Sequence, residues 1–424
     1  MSILIKDSII VMQNVGNEII RGDIYIEDNK IVEVGKVNVE ADFVIRNRLV
    51  IPGLINMHTH LPMTLLRGYG DDLPLEEWLT TRIWPIEAKL KAEHIAIGTK
   101  LAFMEMVRSG TTCCNDMYFF EDVIANEAKK FGIRCYAGFS LIDFDTPEMK
   151  SERLPSECEN FVKKWKNDEL VEPVVAPHST YACSPETLQK AKEIAEKHDC
   201  FIHIHCSETR HEVYDVLNRY GKRPLQQIKD NGLLTEKTML AHCGWITKEE
   251  VKEIALSNAC VVHNPVSNMK LATGGYTPLP ELMEANAVVT LGTDGAASNN
   301  KLDMFETMKF AALIHKHHRW DASIVKAQEV LDMATVNSAG FLELNAGCIE
   351  EGRLADIVCI DYKAANLVPL HNVISHLVYA MDAHNVSDVI INGKLILHEK
   401  KFLNIDEEKV YEEAEKAKED LLSE

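Results

Sequence analysis

The run Leu49-Val50-Ile51-Pro52-Gly53-Leu54-Ile55-Asn56-Met57-His58-Thr59-His60 reads as an apolar strand that delivers two histidines to its C-terminal end. That leaves few folds open. Side chains alternate faces along a strand, so His58 and His60 leave on the same side. Two imidazoles converging from a strand end supply half of a metal site. A single His-x-His is common, and lone histidines usually serve in cores or on surfaces. Here three more segments repeat the pattern. Ile202–Glu208 alternates with His203 and His205 on one face and closes on a carboxylate. Met239-Leu240-Ala241 ends at His242, and Val288–Thr293 ends at Asp294. Four apolar runs therefore each place a metal ligand or proton carrier at the same end.

Between about His58 and Gly340, short apolar runs alternate with amphipathic helical stretches. The periodicity predicts helices over Ala92–Arg108, Glu186–His198, Lys248–Ser257, Pro280–Ala285 and Ile324–Ala339. Alternating βα units imply parallel strands, and a chain of 424 residues accommodates a (β/α)₈ barrel with an appendage. Strand texture marks both ends: Ile3–Lys6, Asp23–Glu27 and Lys30–Val34 early, then Ala355–Ile360 and Val386–Leu397, with a hairpin turn at Asn392-Gly393. Neither end has enough strands to stand alone. The expectation is therefore an α/β protein in three parts. Residues 57–346 form a TIM-type barrel, 1–56 plus 347–401 a small composite β-sandwich, and 402–424 a solvated C-terminal helix.

A net charge of −20 excludes a basic nucleic-acid-binding face. No stretch reaches the ~20 apolar residues of a membrane span, and the N-terminus lacks a signal-peptide pattern. Eleven cysteines without a Cys-x-x-Cys pair fit reduced thiols and a cytoplasmic location, not a disulfide scaffold or a thiolate zinc site.

The segments Pro52–His60, Trp84-Pro85-Ile86-Glu87, Gly110-Thr111-Thr112, Ala176-Pro177-His178-Ser179, His203–Glu208, Ala241-His242-Cys243, His263-Asn264-Pro265, Ser267–Leu271, Leu291–Asn299 and Ile349–Asp356 run in order through nearly the whole chain. Together they resemble the amidohydrolase superfamily, in particular its branch of deaminases acting on methylthioadenosine, S-adenosylhomocysteine and 5′-deoxyadenosine. The resemblance implies one divalent metal ion, zinc or else ferrous iron, held by His58, His60, His205 and Asp294. No lysine stands near Val174–His178 to bridge a second ion. Spacing alone does not choose between His203 and His205; the family pattern selects His205 and leaves His203 to the core or to a supporting bond.

The resemblance further implies hydrolytic deamination of an adenine at C6, with Glu208 as general acid–base and His242 and Asp294 taking the proton of the attacking water. Glu87 would hold the ribose hydroxyls and His178 would lie beside the nucleoside. Trp78 and Trp84 either wall the pocket or pack in the core. Relatives place an arginine where this chain has Ala137–Ser140, and Arg153 corresponds to a second carboxylate clamp. Phe139 in that stretch favours uncharged 5′ groups: 5′-deoxyadenosine, methylthioadenosine or adenosine, ahead of S-adenosylhomocysteine. The expected partners are a nucleoside substrate and further copies of the chain, as a dimer or tetramer, with no nucleic acid or membrane. Other amidohydrolase activities, on guanine, cytosine or s-triazines, would use the same metal site, but offer Glu87 no ribose. A metal-binding protein without turnover would be expected to have lost Glu208, His242 or a ligand. His315-Lys316-His317-His318 reads as a surface tract.

Overall fold

The computed structural model describes residues 1–73 and 75–423. Eight strands pair in sequence order and in parallel: Leu54–Thr59, Thr111–Tyr118, Arg134–Leu141, Val171–Pro177, Ile202–Cys206, Thr238–His242, Cys260–His263 and Val288–Leu291. Helices follow the strands, as parallel crossovers demand. Period-2 alternation sorts the strand residues. Ile55, Met57, Tyr136, Val174, Met239 and Val262 fill one interior cluster. Leu54, Cys135, Val175, Ile204, Leu240 and Val261 pack outward under the helices. The barrel closes at its first and last strands. Asp294 N–H donates to the His58 carbonyl at 2.9 Å, Thr293 N–H to Asn56 Oδ1 at 3.0 Å, and Asn56 Nδ2 to Thr293 Oγ1 at 2.7 Å.

The terminal segments join in one mixed nine-stranded sheet. The Leu49–Pro52 strand pairs parallel to Ser2–Val11 on one side and antiparallel to Ile357–Ile360 on the other. Its two faces serve different cores. Val50, Ile357 and Cys359 pack with Ile3, Ile5 and Ile24 inside the appendage. Leu49, Ile51, Val358 and Ile360 join the barrel's outer core. The sheet is thus both the wall of one unit and the floor of the other.

Two expectations change. The helix expected over Ile324–Ala339 is divided into Ala327–Ala334 and Val336–Phe341, because Thr335 leaves helical geometry at φ −134°, ψ −93°. The C-terminal helix, Glu407–Ser423, is more than a solvated cap. Val410, Ala417 and Leu421 are buried in the main core, and the Asp420 carboxylate accepts from His94 Nε2 at 2.8 Å. Among the described residues, no helix is long and apolar enough to cross a membrane.

Candidate active site

The C-terminal ends of the barrel strands open into a cavity of about 1390 Å³ lined by His60, Glu87, His178, His205, Glu208, His242 and Asp294. His58 lies just beneath, fully buried. Its Nε2 stands 3.5 Å from Asp294 Oδ1, and that of His60 stands 3.3 Å from the same oxygen. The ligand atoms of His58, His60 and Asp294 lie within 4.8 Å of one another, as do those of His58, His205 and His242. All five side chains therefore converge on one point.

Supporting bonds fix which nitrogen of each ring faces that point. His60 Nδ1 meets the Met117 carbonyl at 2.6 Å and His205 Nδ1 the His178 carbonyl at 2.8 Å, so both rings donate there and turn Nε2 inward. His242 Nδ1 donates to Asn268 Oδ1 at 2.8 Å, and Ser267 Oγ donates to Asp294 Oδ2 at 2.6 Å. The Asp116 carboxylate accepts from Thr59 Oγ1 at 2.7 Å and from Leu61 N–H at 2.8 Å, clamping the turn on both sides of His60. His203 takes the supporting role: its Nε2 lies 3.0 Å from His58 Nδ1, lower in the barrel, while its Nδ1 meets Asn115.

The arrangement fits a divalent cation. Buried polar groups are normally paired, yet His58 Nε2 has no hydrogen-bond partner and points into the cluster. Three imidazoles and a carboxylate are a donor set suited to zinc or ferrous iron. Burial drives the His58 imidazole down to about 4, and drives His205 well below its ordinary value, so both stay neutral and able to bind. Burial alone would raise Asp294, but the facing His58 ring outweighs it and holds the carboxyl well below the usual range.

Glu208 follows the fifth strand and faces His242, its Oε2 at 3.8 Å from His242 Nε2. Burial raises the Glu208 carboxyl against the opposing pull of His242, and the charge on Asp294 adds to the rise. For His242, burial is opposed and outweighed by the carboxylates of Glu208 and Asp294, so the imidazole is raised. The backbone here is strained: Ser207, His242, Cys243 and Asp294 all have positive φ, between 50° and 73°. Non-glycine residues in that region cost about 1–3 kcal/mol each and concentrate at functional sites. Gly292 leaves the room this needs, since a Cβ there would come within 2.7 Å of the His58 Cβ.

Glu87, on the short helix Trp84–Glu87, reaches the cavity with Oε1 accepting from the Tyr118 hydroxyl at 2.6 Å, and burial lifts its carboxyl to about 7. The His178 ring packs against those of His205 and Tyr181. Trp78 is buried and Trp84 half exposed, and both line the cavity. Arg153 is not brought to the site. It stands exposed on the turn Ser151–Arg153, where an i,i+4 bond to Glu157 at 3.0 Å turns it outward. Phe139 also points away, against Phe161 on the outer face, and the neighbouring cavity residue is Ser140. His315 is buried rather than on the surface, its Nε2 meeting His263 Nε2 at 3.1 Å.

The sequence reading gave no role to Tyr118, Asp116, Ser267, Asn268 or Glu212. Four of these act through long-range contacts that no local pattern announces. Glu212 alone had a local signal, the spacing Thr209-x-x-Glu212.

Comparison with known proteins agrees with this geometry. The profile of the Amidohydrolase family matches residues 49–396. The chain is 44% identical to a 5-methylthioadenosine/S-adenosylhomocysteine deaminase of Thermococcus onnurineus over 403 residues, covering 94% of each. It is 43% identical to a 5′-deoxyadenosine deaminase of Methanocaldococcus jannaschii over 411 residues, 95% of this chain and 97% of that one. The crystal structure of an adenosine deaminase from Xanthomonas campestris with bound zinc superposes with a TM-score of 0.96 at 35% identity, covering 100% of this chain and 99% of that one. A barrel whose strand ends gather histidines and an aspartate around one orphaned nitrogen, matched over most of its length, places the chain in the amidohydrolase family of metal-dependent hydrolases.

Proposed function

We propose that this enzyme deaminates the adenine of 5′-substituted adenosines by hydrolysis, giving a hypoxanthine base and ammonia. The observation that carries this reading is the meeting of Glu208, His242 and the His/Asp cluster in one cavity with the buried carboxyl of Glu87. A bound divalent ion, zinc or ferrous iron, supplies the Lewis acidity that lowers the pKa of water toward neutrality. It would be held by His58, His60, His205 and Asp294. The other parts belong to the chain. Glu208, raised by burial, holds a proton for ring N1 and so removes the aromaticity that protects C6. His242 and Asp294 accept the proton of the attacking water. That proton passes to the amino group, which leaves as ammonia, while Glu208 recovers a proton from the added hydroxyl as the C6 carbonyl forms.

Glu87 binds the ribose hydroxyls through Oε2, since Tyr118 occupies Oε1. The cavity wall at Ile142, Phe144 and Trp84 is apolar; of the lysine and arginine side chains on the lining, Lys270 is engaged by Asp71 at 2.7 Å and Arg210 lies over the Tyr214 ring at 5.3 Å, which supports uncharged 5′ groups packing on the apolar wall. The test is ammonia release by metal-loaded protein from 5′-deoxyadenosine, methylthioadenosine, adenosine, S-adenosylhomocysteine, guanine and cytosine. Turnover of the nucleosides, with the charged-tail substrate slower, is expected. Turnover of free bases alone would overturn the role of Glu87.

Glu87 also gives a pH signature. Its carboxyl accepts more strongly from hydroxyls when ionised, and it protonates as pH falls through about 7. KM for adenosine should therefore rise below neutrality. KM for 2′,3′-dideoxyadenosine, which offers no hydroxyls, should not share that rise. Parallel profiles for the two would show that Glu87 does not read the ribose.

A further inference from the structure

The carboxylate of Glu208 receives no hydrogen bond among the described residues; it faces His242 Nε2 at 3.8 Å. Its aim is therefore set by the backbone that carries it. That backbone is unusual. Ser207 sits in the left-handed region at φ +50°, a conformation that side chains rarely adopt, and it is fully buried. Two features hold it there. On one side the Ser207 carbonyl accepts from Trp245 N–H at 2.9 Å. On the other, Glu212 spends both carboxylate oxygens on consecutive amides: Oε1 accepts from Ser207 N–H at 2.9 Å and Oε2 from Glu208 N–H at 2.7 Å.

This is not the ordinary use of a glutamate in the first turn of a helix. Thr209 caps the helix Arg210–Tyr220, its hydroxyl accepting from Glu212 N–H at 3.0 Å. In a capping box the glutamate three residues on would return to the Thr209 amide. Glu212 instead reaches past the cap to the two residues before it. Its side chain is buried, 4% exposed, beside the cavity that Glu208 enters.

We propose that Glu212 is a positioning residue, holding the Ser207–Glu208 peptide so that the Glu208 carboxyl meets the reacting ring. This rests on the reading of Glu208 as the acid–base. The two parallel N–H donors each meet their own acceptor on one rigid carboxylate, and they favour its charge against the burial that raises it to about 7. A glutamine of the same shape offers one acceptor and turns an NH₂ toward the other amide. Glutamate at this position is therefore required by the Glu208 turn, beyond any need of the helix.

The decisive experiment compares Glu212→Gln with Glu208→Gln in the full-length, metal-loaded enzyme. Small displacements of a reacting group cost about 10²-fold. Glu212→Gln should accordingly lower kcat by about ten- to a hundredfold, with KM and metal content per chain unchanged. A purely structural role would lower Tm and leave kcat per metal-loaded chain within twofold of wild type, and that result overturns the proposal. Should Glu208→Gln keep the wild-type rate, the acid–base reading fails and the proposal with it. Loss in Glu208→Gln alone would sink only the role of Glu212. If Glu212→Gln does not fold, adding Ser207→Gly relieves the left-handed residue. The folded double variant should still show the kcat loss; a wild-type rate there refutes the inference equally.

Discussion

Glu208→Gln is expected to abolish nearly all turnover while the protein keeps its metal and its fold. The side chain lies in the cavity, faces His242 at 3.8 Å, and is not one of the groups whose ligand atoms cluster around His58. Burial raises its carboxyl, so the protonated form persists closer to neutral pH than an exposed glutamate allows. That is the property a general acid needs to protonate a weakly basic ring nitrogen. Glutamine preserves the shape and can still donate a hydrogen bond, but it cannot deliver a proton and take it back. General acid–base groups contribute about 10²–10⁴-fold, and the loss in kcat should fall in that range. Metal analysis and binding of the hypoxanthine nucleoside product should match wild type. A variant within tenfold of the wild-type rate would remove Glu208 from the mechanism.

The second large effect concerns His58. Its Nε2 is buried with no partner, a condition that costs about 1–3 kcal/mol unless a ligand fills it. An ion bound only by the folded chain returns a comparable amount, about 2.7 kcal/mol at a hundredfold excess over Kd. Chelation should therefore stop turnover and lower Tm together, and added zinc or ferrous iron should restore both. In His58→Ala the chelator should shift Tm no further, and saturating metal should restore no measurable turnover. Binding of one ion per chain by that variant with wild-type affinity would show that the site lies elsewhere.

The barrel and its chemistry were legible because four of its eight strands are short apolar runs with a reactive residue at one end. His58 and His60 shared a face by period alone, and the structure keeps them together. What the sequence could not supply was depth and phase. His203 and His205 share the inner face of one strand; only height in the barrel separates the ring that supports His58 from the ring that reaches the cavity. Phe139 and Ser140 differ by one residue, and pattern did not reveal which of them looked inward. Arg153 stands exposed beside Glu157, and no local pattern gives the distance of its turn from the cavity. Tyr118 and Asn268 find Glu87 and His242 from 31 and 26 positions away, distances at which no periodicity operates.

The bonds that close the barrel also tie the metal site to the history of the chain. Asn56 and Thr293, flanking His58 and Asp294, stand 237 positions apart and meet only when the last strand joins the first. Until then no fragment of the polypeptide owns the complete set of ligands. A nascent chain on the ribosome cannot assemble the site before the eighth strand has emerged. Binding of an ion by all four proposed ligands would thus require the first and last strands to have met. The amide of Asp294 and the carbonyl of His58 act as the clasp that brings the two halves of the ligand cluster together.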